Sequence, residues 1–207
     1  MIYQSQRKEV AYFMRRLYEQ KLTTCSGGNI SFKADEKNVL ITPSQLDKAR
    51  LIAGQIGILS VDVENLTPEL KPSMETGMHL SIYKKRPDIK AVVHAHPPFA
   101  TSFSTTNKKI NCKLNGEARF VVGEPVYTEY ALMGSEKLAE IVSEATLNAN
   151  VVLMKNHGVL TVGKTLLEAF DRLEVFEASA KITLITELLG GRQELSADEL
   201  KAIDDLL

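Results

Sequence analysis

Four histidines occur among the 207 residues, and two of them close the run Lys90-Ala-Val-Val-His94-Ala-His96. That run is short, apolar and held between Pro87 and the pair Pro97-Pro98, which reads as a mostly buried strand. Side chains two apart on a strand share a face, so the imidazoles of His94 and His96 can converge on one point. The prolines end the strand at once and leave the pair at its mouth, where ligands of α/β sheets bind. Alone, such a pair is as readily two satisfied core histidines as two metal ligands. His157 is the natural third ligand, in a turn after another apolar strand, with Gly158 leaving room for close backbone approach. Three neutral imidazoles suit zinc, and three protein ligands leave a coordination position open, as in catalytic rather than structural sites.

An H-x-H pair also occurs in cupin β-barrels, which would want a carboxylate soon after it. None stands before Glu117, and too many segments read as helices. The fourth histidine, His79, falls one helical turn after Glu75 and shares its face. It reads as packing or as support for the site rather than as a ligand.

The elements that must hold these residues follow from periodicity and punctuation. Val10, Phe13, Met14 and Leu17 lie at helical spacing in an opening helix over Gln4 to Lys21. Asn29 to Lys33 and Val39 to Thr42 flank the polar turn 34–37 as a hairpin, and Ile56 to Val61 makes a third strand. Ser73 can cap a helix that starts after Pro72, turns Met74, Met78, Ile82 and Tyr83 inward, and stops before Pro87. That places Glu75 in the first turn, where the helix dipole alone would favour an acid. Ser135 starts another helix. Val151 to Lys155 and Val159 to Val162 read as strands around Asn156-His157-Gly158. Thr165 with Glu168 forms a capping box for a long helix that Gly190-Gly191 ends, and Ser196 with Glu199 forms a second box for a short terminal helix. With no repeat and no linker, the expectation is one mixed α/β domain over residues 1–207.

Composition narrows the function classes. The 25 Lys and Arg nearly balance the 26 Asp and Glu, so neither nucleic acid nor a membrane surface is expected as a general partner. No run approaches the roughly 18 apolar residues of a membrane span, and the polar N-terminus is unlike a signal peptide. A cytoplasmic protein acting on a small molecule is expected. Cys25 and Cys112 stand far apart and form no C-x-x-C, so both read as ordinary thiols.

Taken together and in order, Ser26-Gly27-Gly28-Asn29, Ile41-Thr42-Pro43-Ser44, Lys71-Pro72-Ser73-Met74-Glu75, Ala91-Val-Val-His94-Ala-His96-Pro97 and Asn156-His157-Gly158 resemble the class II aldolase/adducin family over nearly the whole chain. The resemblance implies a three-layer α/β/α fold with a central, mostly antiparallel sheet. It also implies a homotetramer with active sites at subunit interfaces, Zn²⁺ on His94, His96 and His157, and Glu75 as the catalytic acid/base. Phosphate of a sugar-phosphate substrate would be held by Gly28, Asn29, Ser44 and Ser73, types that suit an anion nest and that singly would read as a turn and a helix cap.

The family's epimerases carry Asp where Glu75 stands, so Glu75 favours aldol cleavage. A metal chelated by the oxygens of a phosphorylated ketose, such as L-fuculose 1-phosphate, would stabilise the enediolate left on release of an aldehyde from dihydroxyacetone phosphate, by several kcal/mol. Glu75 would have to stand within about 3 Å of the proton that it moves. Two positions depart from the family: Gln45 replaces a Gly, and Met74 a frequent second Ser. The tyrosine that the fuculose enzyme's neighbouring subunit donates has no counterpart between Tyr83 and Tyr127, which leaves Tyr127 and Tyr130 as substitutes or as packing residues. A 4-epimerase, dehydratase or decarboxylase of the same family, and a non-catalytic adducin-like module, stay open as alternatives.

Overall fold

The computed structural model describes residues 2–206. Its strands are β1 (Asn29–Lys33), β2 (Asn38–Ile41), β3 (Gly57–Ser60), β4 (Ala91–Ala95), β5 (Val126–Thr128), β6 (Val151–Met154) and β7 (Gly158–Gly163). Its helices are α1 (Gln4–Glu19), α2 (Thr76–Lys85), α3 (Pro98–Ser104), α4 (Gly116–Val121), α5 (Glu136–Ala145), α6 (Leu166–Leu188) and α7 (Ala197–Asp204). All strands join one sheet in the order β3-β2-β1-β4-β7-β6-β5, antiparallel except for the pair β5 and β6.

The apolar runs at its centre explain why helices cover both faces. In β4, Ala91, Val93 and Ala95 enter one core with Phe13 and Met14 of α1 and Phe170 and Phe176 of α6. Val92, between them, enters the opposite core with Met78 and Ile82 of α2 and Leu138 and Val142 of α5. Strands β6 and β7 divide in the same alternating way, as a strand buried on both faces must. The result is the expected α/β/α arrangement around a mostly antiparallel sheet. No helix among the described residues is long and apolar enough to cross a membrane.

Local signals act largely as read. In the β1–β2 hairpin, Asp35 accepts from the backbone N–H groups of Lys37 and Asn38 at 2.8 Å each, the side-chain turn that Asp favours. Ser135 caps α5 by accepting from Leu138 N at 3.1 Å. The box at Ser196 and Glu199 is complete, whereas that at Thr165 is half formed: Thr165 accepts from Glu168 N at 3.1 Å, but Glu168 reaches one residue further back, to Lys164 N at 2.7 Å.

The start of α2 corrects the expectation. Ser73 is not its cap; its hydroxyl accepts from Glu75 N at 3.3 Å, inside a turn that precedes the helix. Glu75 is itself the N-cap residue, and Met74 points outward, 67% exposed, because the turn rotates it off the buried face of α2. Both cysteines are free, and burial pushes the Cys112 thiol up to about 12.

Candidate active site

Each candidate ligand stands at a strand end. His94 is on β4, fully buried, and opposite Asn29 of β1, so the two side chains share the face of the sheet that α2 covers. His96 follows the strand and is fixed by its N–H to Leu22 O at 3.1 Å. His157 sits in the tight turn between β6 and β7. Asn156 before it takes a left-handed φ of 53°, which Asn tolerates better than most residues. Gly158 after it allows the close approach: a Cβ there would lie 2.6 Å from Ala95 O and 2.7 Å from His96 Cδ2.

The three imidazoles meet as the spacing suggests. Ring centroids are 4.7 Å apart for His94 and His96, 4.8 Å for His94 and His157, and 5.6 Å for His96 and His157. One ring nitrogen of each lies within 4.8 Å of the others, a group able to hold a divalent metal ion. His94 donates from Nδ1 to Val159 O at 2.9 Å, which leaves the lone pair on Nε2. That Nε2 is buried and has no hydrogen-bond partner, and the same is true of Glu75 Oε1. Orphaned buried polar atoms are costly, and these two fit an added cation. Burial pushes His94 below the usual imidazole range and His96 to about 3, so both are neutral, as metal ligation requires.

Glu75 faces this group. Its Oε2 lies 3.2 Å from His94 Nε2 and its Oε1 3.1 Å from His157 Nε2, close contacts that are not aligned as hydrogen bonds. Oε2 accepts from Asn29 Nδ2 at 2.8 Å. Burial pushes this carboxyl up, but His94, His157 and the Asn29 amide together outweigh it and hold it below the usual carboxylate range.

A cavity of about 200 Å³ opens beside the histidines, and Gly28, Asn29, Ser44 and Ser73 all line it with Glu75, His96 and His157. Gly28 has a φ of 65°, and a Cβ on it would lie 2.7 Å from His94 O, so only glycine fits there without strain. Ser44 is tied down as found: its N–H donates to Lys71 O at 3.0 Å and its hydroxyl to Pro72 O at 2.9 Å. A larger hollow between α2 and α5 contains no histidine.

Beside Met74, the same cavity holds two residues that composition and spacing did not single out, Lys48 and Met133. Lys48 is 1% exposed, its ammonium donates to Pro43 O, and no carboxylate lies within ion-pair distance among the described residues. Burial lowers it to about 8. Met74 and Met133 also line the cavity. Behind Glu75, the amide oxygen of Asn29 meets His79, which in turn meets Ser31. A signal for this was present: Glu75, His79 and Tyr83 follow one helix face at intervals of four, and Asn29 and Ser31 one strand face at an interval of two. Of the two tyrosines considered as proton donors, Tyr127 lines a different hollow and its hydroxyl accepts from Ile110 N at 2.9 Å. Tyr130 is exposed.

Comparison with known proteins agrees with the geometry. The family model "Class II Aldolase and Adducin N-terminal domain" matches residues 8–184. The chain is 36% identical over 183 residues to an L-fuculose phosphate aldolase of Methanocaldococcus jannaschii, an alignment covering 88% of this chain and 98% of that protein. It is 34% identical over 182 residues to a 3-oxo-tetronate 4-phosphate decarboxylase of Haemophilus influenzae, with 86% of each covered. A solved structure of an L-fuculose 1-phosphate aldolase superposes with a TM-score of 0.90 at 29% identity, over 100% of this chain and 97% of that one. On this breadth of similarity the chain belongs to the class II aldolase and adducin family, and is a lyase.

Proposed function

We propose that this enzyme is a zinc-dependent aldolase that reversibly splits a phosphorylated ketose of the L-fuculose 1-phosphate type into dihydroxyacetone phosphate and an aldehyde. The observation that carries the reading is the Glu75 carboxylate, 3.2 Å from His94 Nε2 and 3.1 Å from His157 Nε2, beside three converging imidazoles. His94, His96 and His157 would hold the ion, which when bound supplies the positive charge that stabilises an enediolate. Glu75, ionised in its resting state, takes a proton from the carbon next to the ketone in the direction of synthesis and returns it in cleavage. Gly28, Asn29, Ser44 and Ser73 bind the phosphate, the Ser44 hydroxyl turning from Pro72 O to do so. Lys48 gives that corner a cation that no carboxylate among the described residues neutralises, and this favours a dianionic group over a neutral one. Tyr130, exposed on the segment that leads to Met133 at the cavity, is better placed than the occupied Tyr127 to handle the aldehyde's proton.

The test is metal analysis of the purified protein followed by a cleavage assay over phosphorylated and unphosphorylated ketoses. His94→Ala is expected to lose both zinc and cleavage, and Glu75→Gln to keep zinc and lose about a hundredfold or more of the rate. Full activity in metal-free protein would sink the proposal. The decarboxylase relative supports a second reading, since loss of CO₂ next to a carbonyl leaves the same kind of carbanion. Product analysis separates the two: an aldehyde in one case, CO₂ in the other.

A further inference from the structure

Five buried polar side chains form one unbroken line between the carboxylate and the body of α2. Asn29 Nδ2 meets Glu75 Oε2 at 2.8 Å, His79 Nε2 meets Asn29 Oδ1 at 2.5 Å, Ser31 Oγ meets His79 Nδ1 at 2.6 Å, and Tyr83 Oη meets Ser31 Oγ at 2.8 Å. Ser31 and His79 have no exposed surface, and Asn29 and Tyr83 almost none.

The direction of every link follows from one end. An ionised carboxylate only accepts, so Asn29 gives Glu75 an N–H and turns its oxygen to His79. His79 Nε2 must therefore be the donor. Burial holds this imidazole at about 3, so it carries one proton, on Nε2, and Nδ1 accepts. Ser31 spends its single proton on Nδ1, and Tyr83 donates to Ser31. From Glu75 to Ser31 no member has a free choice, Tyr83 alone having a second acceptor in Lys90 O at 3.3 Å, and an apolar residue at position 79 would pack against β1 without the cost of burying such a network.

We propose that His79 is a positioning residue: as the neutral Nε2–H tautomer, fixed by Ser31, it locks the Asn29 amide with its N–H toward Glu75 and so aims the carboxylate at the three histidines. The proposal rests on the reading of Glu75 as the proton carrier. His79 itself lines no part of the cavity and acts only through Asn29, so its main effect is on the rate of the chemical step, with a smaller one on phosphate binding by the same amide.

The experiment compares His79→Leu, His79→Gln, Ser31→Ala and Glu75→Gln in the metal-loaded enzyme, with cleavage of a phosphorylated ketose as the assay. His79→Leu is expected to lower kcat by about tenfold to a hundredfold, with bound metal unchanged and a rise in KM much smaller than the fall in kcat. His79→Gln, whose amide can donate to Asn29, is expected to recover most of that loss. Ser31→Ala, a smaller change that keeps the fold if the leucine variant fails to fold, should lower kcat by a few fold. Side-chain nitrogen NMR of the wild type should show His79 neutral with its proton on Nε2. A proton on Nδ1, equal losses in His79→Leu and His79→Gln, or an unchanged kcat in Ser31→Ala and His79→Leu beside an inactive Glu75→Gln overturns this inference alone. Full activity in Glu75→Gln overturns the reading beneath it as well.

Discussion

Lys48 is the residue whose environment departs furthest from what its type prefers. Lysine is almost never fully buried unless paired, yet Lys48 is buried with one carbonyl as its partner. Its folded-state value of about 8 lies below the ordinary 10.5. The unfolded chain therefore binds more protons between those values, and stability should rise with pH across that window as the buried charge is discharged. Lys48→Met should remove this part of the rise in urea titrations at pH 7.5 and 9.5. The same variant should weaken competitive inhibition by inorganic phosphate about tenfold, with metal content unchanged; an unaltered inhibition constant would mean that Lys48 serves the loop alone. The four histidines were legible because their type is rare and their spacings fit one face of a strand or helix, whereas Glu75, one of 26 acidic residues, stood out only through the motif Lys71-Pro72-Ser73-Met74-Glu75. Lys48 was not legible, since nothing in a loop sequence distinguishes a lysine folded inward from one in water. Met74 misled because helical spacing was extended over a turn that precedes α2.

At the scale of elements, the β6–β7 turn sets the site. Gly158→Ala would press a Cβ to within 2.6 Å of Ala95 O, and backbone cannot yield as a side chain tip can. The expected cost is about 1–3 kcal/mol, and, because the turn must shift, His157 should leave its place and metal affinity should fall. Isothermal titration with Zn²⁺ beside a thermal melt checks both, and a melt lowered with zinc affinity intact would detach the turn from the site. Long or strongly punctuated elements could be read from sequence: α1 by its apolar spacing, β4 between prolines, α5 and α7 by their caps. Strand β5 with three residues and helices α3 and α4 with seven and six are too short to show a period. They form because the rest of the sheet and α6 give them a surface to pack on.

For the whole molecule, the three-layer order was legible from the family motifs and from strands that are apolar on both faces, whereas the homotetramer rests on the family motifs alone. Leu184, Ile185, Leu188 and Leu189 at the end of α6 are exposed, as are Leu132 and Met133 near the cavity. Clustered exposed apolar residues mark contact surfaces, in line with the homotetramer that the family resemblance implies. Light scattering should give about four times the 22.9 kDa of one chain, and Leu188→Glu with Leu189→Glu should lower it. A monomeric wild type would remove the expectation of active sites at subunit interfaces.

The strand register has a further consequence, for the order of events during folding. Asn29 faces His94 across β1 and β4, and His94 faces Leu160 across β4 and β7. The metal group is thus stitched from segments more than sixty positions apart, and such long-range pairings form late because loop closure precedes their reward. A nascent chain released before β7 docks has two of the three imidazoles and nothing to hold an ion firmly. An ion held by the three histidines, as proposed, would be taken up only when the sheet is complete and would act as a clasp on the last strand to arrive.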